Sequence, residues 1–242
     1  MDFELFEADC TFTDDTVPAV AVADCVLNGH HYVDAFHEYV RAYPNAGYGF
    51  NFFRWASSGD RNPYNSWGNG AAMRMSAIGH AFDRLEDVLA EAARSAEVTH
   101  NHPEGVKGAQ ATAAAVFLAR PRRSKGEIKQ AVEQMFGYEL SQPLDALRLT
   151  YEFDVSCQGT VPPALIAFLE STSFEDAIRK AVSLGGDADT LACITRGVAE
   201  AYYGGLPTDI EARRLAVLDA RLRSVVDRFR ERHGVPDSTA RM

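Results

Sequence analysis

The chain has 242 residues and is 46% hydrophobic, long and apolar enough to bury a sizeable core. It carries 24 Lys and Arg against 34 Asp and Glu, a formal net charge of −10. That acidity argues against a general nucleic-acid binder or a protein held on an anionic membrane, because both need a basic surface; a small anion held by backbone amides stays open.

Apolar residues at three- and four-residue spacing predict helices over 15–27, 33–43, 69–79, 85–99, 103–119, 125–136, 162–170, 174–183, 190–203 and, as one long element, 207–233. Pro103, Pro162 and Pro207 stand at expected helix starts, where a missing amide is tolerated. Segment 43–63, rich in Gly, Asn, Pro and aromatics, reads as a long loop of the kind that is often functional. Segment 149–155 is the best extended candidate, and the polar tail after Gly234 is expected to fray. The fold class is therefore expected to be all-α. With no repeat or linker, one domain over 1–242 is expected.

Cys10, Cys25, Cys157 and Cys193 form no CxxC pair, and Met1-Asp2-Phe3-Glu4 does not begin a signal peptide. These features predict reduced thiols in a cytoplasmic protein, with Cys25 and Cys193 buried in apolar helical runs. No apolar run is long enough to cross a bilayer.

Two acidic clusters precede apolar helical runs. One is Phe12-Thr13-Asp14-Asp15-Thr16; the other is Ser183-Leu184-Gly185-Gly186-Asp187-Ala188-Asp189-Thr190. Free amides and the helix dipole favour carboxylates at such starts, so either cluster alone is most simply a cap. But a cap needs one side chain, and clustered like charges repel unless a cation sits between them. If the two starts meet, Asp14, Asp15, Asp187 and Asp189 converge with the hydroxyls of Thr13 and Thr190. Oxygen-only donors suit Mg²⁺, Mn²⁺ or Ca²⁺ better than zinc.

Two other polar stretches stand out. Gly68-Asn69-Gly70 before a small-residue helix either forms an ordinary turn and cap or leaves amides free for a phosphate. His100 and His102 form an HxH pair without a matching third ligand, which favours a polar or substrate-facing role over zinc.

Taken together these segments resemble the ADP-ribosylglycohydrolases, a group that includes dinitrogenase reductase-activating glycohydrolase and the ADP-ribosyl-acceptor hydrolases. The matching stretches are FTDDT at 12–16, WGNGAAMR at 67–74, THNHPEGVKGAQA at 99–111, GTVPPALIAFLES at 159–171 and SLGGDADTLACITRGVAEAYYG at 183–204, in the family's order. The resemblance implies a compact orthogonal multi-helix bundle with two divalent cations, Mg²⁺ or Mn²⁺. It implies Thr13, Asp14, Asp15, Asp187, Asp189 and Thr190 as metal ligands, with the four aspartates catalytic. It puts Gly68, Asn69 and Gly70 at the diphosphate and ribose, His100 near the ligand, and Gly159, Thr160 and Val161 by the adenosine half. The implied reaction is hydrolysis of the glycosidic bond at C1″ of an ADP-ribosyl group. The partner would be an ADP-ribosylated protein or small molecule, with nucleic acid only as an ADP-ribosylated acceptor. Segment 43–63 is the candidate acceptor contact.

The resemblance also implies a preceding helix with a Gly-Asp-x-x-Gly-Ser pattern and a Glu. No such pattern stands before Thr13, and Glu4 and Glu7 are not in that setting. The expectation is a domain lacking this helix, through an internal start site, a natural short form or a partner that supplies the region. An apolar face left bare would favour oligomerisation. Two further readings stay open: an ADP-ribose-binding module without turnover, and a helical protein with acidic caps.

Overall fold

The computed structural model describes residues 3–7, 9–121 and 123–234; the polar tail after Gly234 lies outside them. The chain runs through α1 (Thr16–Asn28), α2 (Tyr32–Ala42), α3 (Phe50–Ser58), α4 (Gly70–Met73), α5 (Ser76–Ala81), α6 (Leu85–Glu97) and α7 (Pro103–Ala119). It continues through α8 (Lys125–Phe136), α9 (Leu144–Arg148), α10 (Cys157–Leu169), α11 (Phe174–Val182), α12 (Ala188–Tyr203), α13 (Thr208–Ala216) and α14 (Ala220–His233). Among the described residues there is no strand, only an isolated antiparallel bridge between Gly68 and Ser156. The fold is all-α, as the periodicity predicts.

Small side chains set the centre. α7 reads PEGVKGAQATAAAVFLA and buries glycine, alanine and threonine around nearly its whole circumference, the pattern of a helix enclosed by others. It packs against α4, α5, α6, α8, α10 and α12. The approach is close enough that a Cβ on Gly79 would stand 2.5 Å from Val116 Cβ, and one on Gly108 would stand 2.5 Å from Cys157 Sγ. Around this post, α1 packs on α2, α5 and α14, while α12 packs on α10 and α11. The starts of α1 and α12 are thereby both held by one core.

Several boundaries differ from the sequence expectation, each for a local reason. Segment 43–63 is not loop throughout: α3 forms within it, burying Trp55 and Ala56. The helix expected over 69–79 breaks at Arg74, whose side chain turns inward to bond Ser95 O and Thr99 Oγ1. Ser156 caps α10 through Gly159 N, so this helix starts before Pro162, which lies inside it with Pro163. The long helix expected over 207–233 is two helices, because Asp219 accepts from Leu222 N and begins α14 afresh. Segment 149–155 is irregular rather than extended, and α9 was not expected. All four cysteines are free thiols; Cys25 and Cys157 are buried, Cys193 is only partly so, and Cys10 is exposed.

Candidate active site

Each acidic cluster is fixed by the backbone that enters its helix. Before α1, Asp14 N donates to Ala46 O at 2.7 Å, and Thr13 O accepts from Thr16 N and Val17 N. Before α12, Gly185 and Gly186 take φ of +72° and +62°, left-handed values that glycine adopts without strain. A Cβ on Gly186 would also stand 2.9 Å from the Tyr151 ring. Asp15 and Asp187 occupy the N-cap positions of α1 and α12, yet neither makes a side-chain cap hydrogen bond. The simple cap explanation therefore fails for both: the carboxylates stand at the helix starts without serving the helix amides.

The two starts meet. Thr13 Oγ1 donates to Asp15 Oδ2 at 3.4 Å. Burial, and then the charge of Asp189, pushes the Asp14 carboxyl up to about 6. Burial and Asp189, reinforced by Asp14 and Asp187, push Asp15 up to about 8, with a hydrogen bond from Thr190 opposing the rise. Asp187 is raised chiefly by burial, against the lowering effect of its bond from Asn69. None of the four aspartates forms an ion pair with Lys, Arg or His among the described residues. Asp15 is 6% exposed, and its Oδ1 has no hydrogen-bond donor. Crowded carboxylates with no paired cation and an unsatisfied oxygen are costly to bury unless something positive joins them.

The donor set fits a hard divalent cation: aspartate and threonine oxygens, with an orphaned carboxylate oxygen at the buried end. Among the described residues no three His, Cys, Asp or Glu side chains already close around one point. Two of the six candidate ligands are threonines, and like charges with no cation between them stand apart.

Asn69 ties this cluster to the rest of the site. Its Nδ2 donates to Asp187 Oδ2 at 2.5 Å and to Thr160 Oγ1 at 3.0 Å, and Thr160 Oγ1 donates to Asp154 O at 3.1 Å. The amides of the Gly68–Gly70 turn are mostly engaged, contrary to the sequence picture of a free cradle. Gly68 N donates to Ser66 Oγ and Asn69 N to Val155 O, which leaves Gly70 N. His100, 4% exposed, places Nε2 against this turn: a Cβ on Gly70 would lie 3.4 Å from it, and one on Gly68 3.5 Å. His102 is elsewhere, capping α7 by accepting from Glu104 N and lying beside Trp67, so the HxH pair does not converge. Thr160 and Val161 have no exposed surface and lie under the site; Gly159 retains some.

Three neighbours were not visible from sequence: the Ala46 carbonyl, Tyr48 beside Asp14, and Tyr151 over Gly186. Behind Asp15 a cavity of about 230 Å³ opens between α1, α5, α12 and α14, with Ala23, His80, Glu200 and Phe229 in its walls. It reaches Asp15 but not Asp14, Asp187 or Asp189, so it backs the cluster rather than forming its mouth.

The sequence model of the ADP-ribosylglycohydrolase family matches residues 3–238. The chain belongs to the ADP-ribosylglycohydrolase family. Within it, ADP-ribosylhydrolase ARH3 of Bos taurus is 30% identical over 264 residues, spanning 82% of this chain and 72% of the relative. The ADP-ribosylhydrolase ARH3 of Homo sapiens is 29% identical, spanning 80% and 71%. A solved structure described as an ADP-ribosylglycohydrolase-related protein complex superposes with a TM-score of 0.65 at 29% identity, covering 88% of this chain and 78% of the other. The all-α fold of this chain is thus the ADP-ribosylglycohydrolase fold. Among its described residues no helix is long and apolar enough to cross a membrane.

Proposed function

We propose that this chain is a divalent-cation-dependent hydrolase that cleaves the glycosidic bond at C1″ of ADP-ribosyl groups and releases ADP-ribose from a protein or small-molecule acceptor. Family membership supports the reaction class. The observation that carries the cation dependence is the convergence of Asp14, Asp15, Asp187 and Asp189 without capping bonds or ion pairs, with Asp15 Oδ1 orphaned.

Thr13, Asp14 and Asp15 from one helix start, and Asp187, Asp189 and Thr190 from the other, would hold two Mg²⁺ or Mn²⁺ ions. Bound there, such ions supply positive charge that orients hydroxyl groups and makes a water easier to deprotonate. The chain's own groups do the rest. A carboxylate of the cluster accepts the proton of the attacking water. As the bond breaks, positive charge spreads over the sugar ring, and the surrounding aspartates stabilise it electrostatically. Asn69 keeps Asp187 aimed through its hydrogen bond. Gly70 N and the His100 ring offer donors to the ligand away from the reacting carbon, which fixes its position.

The test is release of ADP-ribose from arginine-, serine- and DNA-linked substrates with Mg²⁺, with Mn²⁺ and with a chelator. Release with either metal and none with chelator is expected. No release from any substrate at high enzyme overturns the hydrolase reading. Calorimetric ADP-ribose binding without product then points to the binding module.

A further inference from the structure

Arg74 sits at the break between α4 and α5 and is 1% exposed. No carboxylate pairs with it among the described residues. Its guanidinium lies 4.5 Å from the centroid of the Phe36 ring and donates to Ser95 O at 2.9 Å and Thr99 Oγ1 at 3.2 Å. Thr99 is fully buried, and its Oγ1 stands 2.7 Å from His100 Nδ1. Which atom donates in this last contact follows from counting protons. The hydroxyl oxygen already accepts from Arg74. If Nδ1 also donated to it, the hydroxyl proton would be left without an acceptor in a site closed to water. The hydroxyl therefore donates to Nδ1, and the imidazole proton sits on Nε2.

Nε2 has no hydrogen-bond partner among the described residues and faces the Gly68–Gly70 turn, where most amides are engaged. Burial, and then the nearby charge of Arg74, holds the His100 pKa well below the ordinary range, so the ring keeps a single proton. The Tyr64 ring packs 5.9 Å from it, centroid to centroid, and limits its rotation.

We propose that Arg74 and Thr99 are positioning residues that lock His100 as an Nε2–H donor to an oxygen of ADP-ribose bound over the Gly68–Gly70 turn. This rests on the ADP-ribose reading above. It gives His100 a role opposite to that of a metal ligand, since a protonated Nε2 and an engaged Nδ1 leave no lone pair for a cation. It also gives the buried guanidinium a place in the relay: Arg74 occupies one of the two lone pairs of Thr99 Oγ1 and so holds the hydroxyl in place against His100 Nδ1.

The test begins with the wild-type protein labelled with ¹⁵N and a long-range ¹H–¹⁵N spectrum of its histidines. His100 should show a protonated Nε2 and a bare Nδ1; the reverse overturns the proposal whatever any variant does. Thr99→Ser keeps the hydroxyl and should keep both the tautomer and the affinity for ADP-ribose. Thr99→Val should lose the single-tautomer signature and weaken ADP-ribose binding on the order of tenfold, the effect of one well-placed hydrogen bond. Equal affinity of Thr99→Val and wild type overturns the donor role. Running the titrations with ADP as well as ADP-ribose locates the oxygen: a loss in both assigns it to the diphosphate, and a loss for ADP-ribose alone assigns it to the terminal ribose. If wild type shows the Nε2–H tautomer but binds no ADP-ribose, the functional reading and the donor's target fall while the Arg74–Thr99–His100 relay stands.

Discussion

Asn69 and Asp187 are joined by a hydrogen bond of 2.5 Å between Nδ2 and Oδ2, which fastens the turn before α4 to the turn before α12. Both protons of that amide nitrogen are used, the second on Thr160 Oγ1. Asn69→Ala should therefore raise the Mg²⁺ or Mn²⁺ concentration for half-maximal activity by about 10- to 100-fold, the usual effect of removing a group that orients a ligand. Asn69→Asp should be worse, because it sets a fifth carboxylate against Asp187. A metal titration of activity reads both, and unchanged titrations would refute the link.

Asp187→Ala and Asp189→Ala should abolish hydrolysis at little cost in stability. Asp187 makes no cap hydrogen bond, so even the usual penalty of about 1 kcal/mol for a lost cap should be smaller here. Denaturant melts run beside activity assays separate the two effects. Wild-type activity in either variant would remove that residue from the site.

The raised carboxyls make a signed prediction about pH. Asp14 at about 6 and Asp15 at about 8 hold protons in the folded state that the unfolded chain releases near 3.8. Over that window the unfolded state binds fewer protons, so the stability of the metal-free protein should fall as pH rises. The contribution is full below the unfolded value and lost as pH passes through the folded values. Mg²⁺ should restore more stability near the top of the window than near the bottom. Asp15→Asn should flatten the pH slope of the melting temperature in chelator; a slope equal to that of wild type would contradict the assignment.

Gly79→Ala tests the close packing of α5 on α7. The added Cβ would meet Val116 Cβ at 2.5 Å and Ala113 O at 2.8 Å, both on a buried helix with no room to give. A loss of about 1 to 3 kcal/mol, typical of overpacking, is expected in equilibrium unfolding.

The sequence was most legible where local chemistry decides. Pro103 marks the start of α7, and the Ser124–Glu127 capping box with Gly137 at φ +67° marks α8 at both ends; the observed bounds of both helices equal the expected ones. It was least legible where a distant contact decides. Nothing near Arg74 announces a break, because the break comes from partners on α6 and in the turn after it. The periodicity of α3 was masked by its aromatics and the flanking glycines and asparagines. Asp219 caps α14, but the apolar spacing runs past it and reads as one long helix. At the site, charge repulsion only raised the question of whether the two acidic clusters meet; the family resemblance was what implied that they do. The Asn69–Asp187 bond spans 118 residues, and only the packing of α4 and α12 on a common core brings it about.

The bond from Asp14 N to Ala46 O has a consequence for how such a protein can diversify. The stretch after α2 that contacts the cluster is also a strut for it. Sequence drift in this stretch is transmitted to Asp14 through that amide, so a change around Ala46 and a change in the acidic cluster should be inherited together.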